Sequence, residues 1–222
     1  VTRSILTRRP AGARHAFDGW ILGTGTETGT RVVLGHWPRS PLGPMSDVMV
    51  QRPDGHRLLL APRQEVADFV ASTYTFDEVR LVDVRVTRPD AGRWELTAGP
   101  LQLTAQEGRR PPLGLLLHAV PRRVAVTPAW IGLLDLPARL LTGLRTRGSA
   151  GGGRTEWYGV QDLHTLAGGH ASWDGEPLGG LTAVRPPVTF GFGSVPPGPA
   201  VVRVTTTVQV PGPSDPSATL GG

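Results

Sequence analysis

Hydrophobic and polar residues alternate along most of this chain. In "RLVDVRVTR", Val82, Val84 and Val86 fall on one face and Asp83, Arg85 and Thr87 on the other. Trp94, Leu96 and Ala98 alternate with Arg93, Glu95 and Thr97, and Leu101 and Leu103 with Gln102 and Thr104. Near the end, Val202, Val204, Val208 and Val210 alternate with Arg203, Thr205, Thr207 and Gln209. A period of two sorts side chains onto opposite faces, so these segments predict antiparallel strands with one buried face. The apolar runs "GWILG" and "TRVVLGHW" flank "TGTETG" and predict a hairpin. "SDVMVQ" and "HRLLLA" flank "RPDG", a type I turn signature, and predict a second.

The period changes in two places. Val66, Phe69, Val70 and Thr73 lie at i, i+3, i+4 and i+7, which predicts a helix near 63–74 with Pro62 before its start. The leucine-rich segments "PPLGLLLHAV" and "TPAWIGLLDLPARLLTGL" predict a helical insert near 112–144. Thr127 and Pro128 form an N-cap and first turn there, and Pro137 divides the second segment. The count is about nine or ten strands in a mainly β fold (β-rich α+β), an antiparallel barrel or sandwich with few helices. Residues 1–16 read as a loose basic arm, 17–210 as a single β-rich domain, and 211–222 as a disordered tail.

Composition narrows the chemistry. The 222 residues include 30 Gly and 22 Pro, which suits many turns between short strands. Cys, Lys and Asn are absent, so every one of the 23 basic residues is arginine. A high-GC genome accounts for this, and Val1 reads as a translated GTG start. The absences exclude a Schiff-base lysine, a P-loop lysine, disulfides and thiol nucleophiles. The net charge is +5 and the pI about 11.0. The arginines are dispersed, with adjacent pairs only at Arg8–Arg9, Arg109–Arg110 and Arg122–Arg123, so nucleic acid is not an expected partner. The first residues lack the apolar core of a signal peptide, and no run is long enough to span a bilayer. A cytoplasmic location is expected, with peripheral membrane contact left open. That contact would use Leu116, Trp130, Leu133, Leu134 and Leu140 of the insert with Arg122, Arg123, Arg139 and Arg145. Alternatively, the insert is an ordinary lid or an oligomer interface.

The candidate chemistry concentrates after the glycine run 151–153. In "RTEWYGVQDLHTL" a period of two puts Glu156, Tyr158, Val160, Asp162 and His164 on one face. At a strand's rise Glu156 and His164 stand about 26 Å apart, whereas Asp162 and His164 are about 6.6 Å apart. The usable unit is therefore Asp162 with His164, joined by Tyr158, as a candidate acid–base set. Glu156, Tyr158, Arg154 and Trp37, the last at a strand end in "GHWP", are candidate ligand contacts. The glycine run itself lacks the following helix that a phosphate loop requires. No metal site is expected, because HxH and HExxH are absent, although His170 could neighbour His164 across a hairpin. No cofactor is expected. His118, alone in "GLLLHAV", reads as a core histidine. Ser194 lacks the G-x-S-x-G context of a nucleophile elbow.

The segment "DGWILGTGTETGTRVVLGHW", with the later Tyr158, Gly159 and Asp162 of "EWYGVQDLH", resembles lipocalin-like proteins of the hydroxyneurosporene hydratase type. That resemblance implies a barrel for an apolar ligand, with catalysis optional. The size and β-with-helix texture also resemble the acetoacetate decarboxylase-like class, whose lysine chemistry has no residue here. The overall texture is similar to that of actinobacterial proteins. The expected function is binding of a small, mostly apolar molecule, with an acidic group met by arginine in one version. The alternatives are an enzyme on the same scaffold using Asp162 and His164 on a hydrophobic substrate, and a non-catalytic interaction or membrane-peripheral protein.

Overall fold

The computed structural model describes residues 14–88, 90, 92–125, 127, 147–150, 154–191 and 196–209. The chain opens with two antiparallel hairpins, β1 (Arg14–Thr26) with β2 (Arg31–Arg39) and β3 (Met45–Gln51) with β4 (Arg57–Ala61). At the second turn Gly55 donates its N–H to Arg52 at 3.0 Å and takes a φ of 94° that a side chain would oppose. Helix α1 (Gln64–Ala71) then crosses to β5 (Glu78–Leu81), which pairs parallel with β4. Next come β6 (Val84–Thr87), β7 (Arg93–Ala98) and β8 (Leu101–Glu107), paired antiparallel in sequence. Helices α2 (Pro112–Ala119) and α3 (Arg122–Ala125) follow, then β9 (Arg147–Ala150), β10 (Arg154–Trp173), β11 (Glu176–Thr182) and β12 (Ala200–Gln209).

The fold is mainly β and antiparallel, as the alternation predicts. β1, β11, β10 and β12 pair in a closed cycle, a four-strand barrel from which the remaining strands extend. β1 and β10 each serve two neighbours in turn, β12 along their first halves and β11 further on.

Two hydrophobic clusters lie on opposite faces of the β1–β4 sheet. Phe17, Ile21, Val33, Trp37, Met45 and Leu59 meet α1 through Val66 and Val70 and α2 through Leu117. Leu22, Val32, Leu34, Val48, Val50 and Leu58 meet Trp94, Leu96, Leu101 and Leu103 of the β7–β8 layer. Strands β2 to β4 are thus buried on both faces. The β6–β8 layer folds over the second face and supplies it with a core.

Other differences from the sequence reading have local causes. Twelve strands are described, against nine or ten. "RLVDVRVTR" divides into β5 and β6, because its first part joins β4 and its second joins β7. The glycine-bearing "EPLGGLT" forms β11. The expected stripe faces the core, with Val66 and Val70 buried and Phe69 half-buried on α1, and Thr73 buried just beyond the helix end. Of the helical insert, α2 and α3 are described. Residues 128–146, the glycine run 151–153, Ser194 and the tail from 210 lie outside the described residues.

The largest correction concerns β10. Its register against β12 shifts between Val160 and Asp162, where Gln161 forms a bulge. Before the bulge, Tyr158 and Val160 face the same side as Thr206 and Val204; beyond it, Leu163 opposite Val202 continues that face. The extra residue turns Asp162 and His164 to the other side, so the expected single face does not exist.

Candidate functional site

A cavity lies between the sheet and α1, and its wall follows from the strand register. On β2 and β3, Val33, Gly35 and Trp37 stand opposite Met49, Asp47 and Met45. Directly opposed residues of an antiparallel pair share a face, so these six form one surface. Phe17 and Ile21 of β1, Tyr158 of β10, and Thr206 and Val208 of β12 extend it. Phe69 and Val70 of α1, with Thr73 and Tyr74 just beyond, form the opposite wall. The cavity volume is about 70 Å³, roughly the share of two water molecules. Both tyrosines and both methionines of the chain line it. Methionine adapts its shape readily, so this wall can enlarge around a guest.

The polar groups in this wall are few. Asp47 is 4% exposed. Its Oδ1 accepts a hydrogen bond from the Trp37 indole Nε1–H at 3.2 Å, and it has no other partner among the described residues. Burial pushes its carboxyl up to about 7, against the opposing pull of the Trp37 hydrogen bond. Gly35 makes this pair possible: a Cβ there would lie 2.6 Å from Trp37 Nε1 and 2.7 Å from Asp47 Oδ1. The Tyr74 and Tyr158 hydroxyls are hydrogen-bonded at 2.7 Å. The Thr206 hydroxyl is buried without a hydrogen-bond partner. Phe17 packs edge-on against Trp37 at 5.9 Å and in a tilted arrangement against Phe69 at 4.9 Å.

Asp162 and His164 belong to a different place, the edge between β10 and α2. Arg110 grips Asp162 with two hydrogen bonds, Nε to Oδ1 and Nη2 to Oδ2, both 2.8 Å. The Leu163 N–H donates to Oδ1 at 2.8 Å. His118 Nδ1 stands 3.3 Å and His164 Nε2 3.5 Å from Oδ2. The His164 distance exceeds a normal N–H···O bond, and His164 Nδ1 lies 3.2 Å from the Gly108 carbonyl oxygen. Burial would raise the Asp162 carboxyl, but the Arg110 hydrogen bonds, the Leu163 amide and nearby positive charge outweigh it and hold the group below its usual range. The outcome is a fixed ionised carboxylate in a cationic network.

The sequence-predicted residues therefore separate. Tyr158 and Trp37 share the cavity wall, Trp37 buried inside and not at a rim. Asp162 and His164 are neighbours outside the cavity lining. Arg154 and Glu156 are placed by backbone register alone, opposite Ala150 and Gly148 of β9. His118 is not a core histidine: its side chain is 60% exposed. His170 meets Thr104. Among the described residues no cluster of three or more His, Asp or Glu converges as metal ligands, and no helix is long and apolar enough to cross a membrane. Leu115 and Leu116 of α2 are exposed at 57% and 55%.

Asp47, Tyr74, Thr206 and Arg110 were not singled out as site residues. Asp47 did carry a signal. It interrupts the face shared by Met45 and Met49, where an alternating strand should place an apolar residue.

No protein-family model matches the chain, and no curated protein matches it. Among solved structures it is similar to a protein provisionally described as ATTH (NE1406) from Nitrosomonas europaea, at 13% identity and a TM-score of 0.34. The alignment covers 97% of this chain and 60% of that one, so the chain spans less than two thirds of its neighbour's length.

Proposed function

We propose that the protein binds a small, mostly apolar molecule in the cavity beneath α1, in the manner of a lipocalin-like carrier. The observation that carries this reading is the Thr206 hydroxyl, buried in an aromatic and aliphatic wall with no partner of its own. An unsatisfied buried hydroxyl costs about 1–3 kcal/mol, and a guest with a hydrogen-bonding group recovers it. The described lining contains no arginine, so a ligand with an acidic group fits this reading less well than a neutral or basic one. Native mass spectrometry of the purified protein tests it. A retained small-molecule adduct that Thr206→Leu weakens is expected. Absence of any adduct, together with no line broadening of small C4–C6 alcohols or amines in ligand-observed NMR, would sink it.

A second reading is an enzyme that uses Asp162 and His164, favoured by their proximity beside Arg110 and His118. Its substrate would sit at the β10–α2 edge, outside the cavity. His164→Ala would then abolish turnover of a candidate substrate while leaving ligand retention intact. Unchanged turnover would remove the reading.

A further inference from the structure

Among the described residues, Asp47 is the only carboxylate, and the only residue ordinarily ionised at neutral pH, that lines the cavity. No described arginine or histidine lines the space, and the remaining titratable groups described there are the phenols Tyr74 and Tyr158. Among the described residues, neighbouring elements add no counter-charge. His36 on β2 points to the opposite face, bonded to Ser46 at 2.8 Å and stacked on Trp20. Arg31 on β2 donates to the Arg52 carbonyl, and Arg39 is committed to Asp18. Arg57 on β4 is held by Asp77, Glu65 of α1 stands against Arg63, Asp68 accepts from Gln64, and Arg85 of β6 pairs with Asp83. Among the described residues, Asp47 keeps one carboxylate oxygen without a protein donor, inside a wall of Phe17, Trp37, Phe69, Tyr74 and Tyr158. Aromatic faces attract cations, and a buried carboxylate requires a counter-ion. A carboxylate guest would be repelled by Asp47 and find no basic side chain. A neutral guest would leave the acid's own requirement unmet.

We infer that the ligand is a small apolar amine, bound as its ammonium ion with Asp47 as counter-ion and the surrounding rings as a cage. This inference deepens the ligand-binding reading above and rests on it. The Trp37 N–H fixes the carboxylate's orientation through Oδ1, and the ammonium pairs with Oδ2. Ammonium binding needs Asp47 ionised, and the carboxyl of the free protein titrates near 7. Affinity for an amine should therefore fall about tenfold between pH 8 and pH 6, with the amine itself protonated throughout.

Three probes of matched shape decide the matter: isobutylamine, isobutanol and isobutyrate, titrated into the full chain by calorimetry at pH 6 and pH 8. The expected order at pH 8 is amine, then alcohol, then acid. Asp47→Asn should weaken the amine at least tenfold, abolish its pH dependence and leave the alcohol unchanged, which also shows that the variant is folded. Equal binding of amine and alcohol, or an amine affinity indifferent to Asp47→Asn, overturns the amine assignment while leaving a ligand cavity in place. If none of the three binds at either pH, the amine assignment and the ligand-binding reading both fail.

Discussion

Asp47 and Asp162 are both largely buried carboxyl groups beside aromatic or imidazole rings, yet they are driven in opposite directions. Asp47 meets one neutral donor inside an apolar wall, and its ionisation is opposed. Asp162 meets a two-pronged guanidinium, a backbone amide and two imidazoles, and its ionisation is enforced. The comparison teaches that partners matter more than residue type. The Asp–His proximity that suggested acid–base chemistry lies where the acid is locked as an anion. The carboxyl able to exchange a proton near neutral pH lies in the cavity, beside a tryptophan.

The most direct way to break the contrast is Asp47→Asn, which keeps an acceptor for Trp37 and removes the charge. Asp47 titrates higher in the folded protein than in the unfolded chain. Stability therefore declines as pH rises from about 4 to about 7 and is level above. The variant should gain on the order of 4 kcal/mol over the parent at pH 8 and almost nothing near pH 4, measured by urea unfolding at both. Equal stabilities at pH 8 would show that the carboxyl is not held in a dry environment.

Arg110→Ala probes the other carboxylate, whose folded value lies below its unfolded one. Its contribution is present above about pH 4 and is lost as pH falls through the folded value. The Arg110 and Asp162 side chains are 28% and 18% exposed, so solvent screens part of the interaction. A small loss of stability is expected at pH 7, shrinking below pH 4. A loss that is the same at both pH values would assign the effect to packing. The smallest change sharpens the cavity side: Thr206→Val should stabilise the empty protein by about 1 kcal/mol, because the hydroxyl has no partner. Thermal unfolding checks this, and a decrease in stability would place an unrecognised partner on that hydroxyl.

Much of the fold was legible because it obeys local rules. The hairpins around "TGTETG" and "RPDG" and the stripe Val66, Val70 and Thr73 lie where turn chemistry and periodicity put them. Consecutive apolar residues such as Val32–Val33–Leu34 and Leu58–Leu59–Leu60 leave both faces of β2 to β4 apolar, but nothing in them says that a β6–β8 layer is what covers the second face. The bulge at Gln161 has no marker in composition. One unsignalled extra residue moved Asp162 and His164 away from Tyr158 and dissolved the expected constellation. Asp47 was legible in principle. Strand position alone, however, does not say which face is dry.

β10 has a mechanical consequence. Its 20 residues give their first half to β12 and their second to β8 and β11, so one continuous backbone stitches both layers. Neither layer can melt by itself without tearing a strand the other depends on. Slow amide exchange in the two should report a single cooperative opening, not two independent foldons.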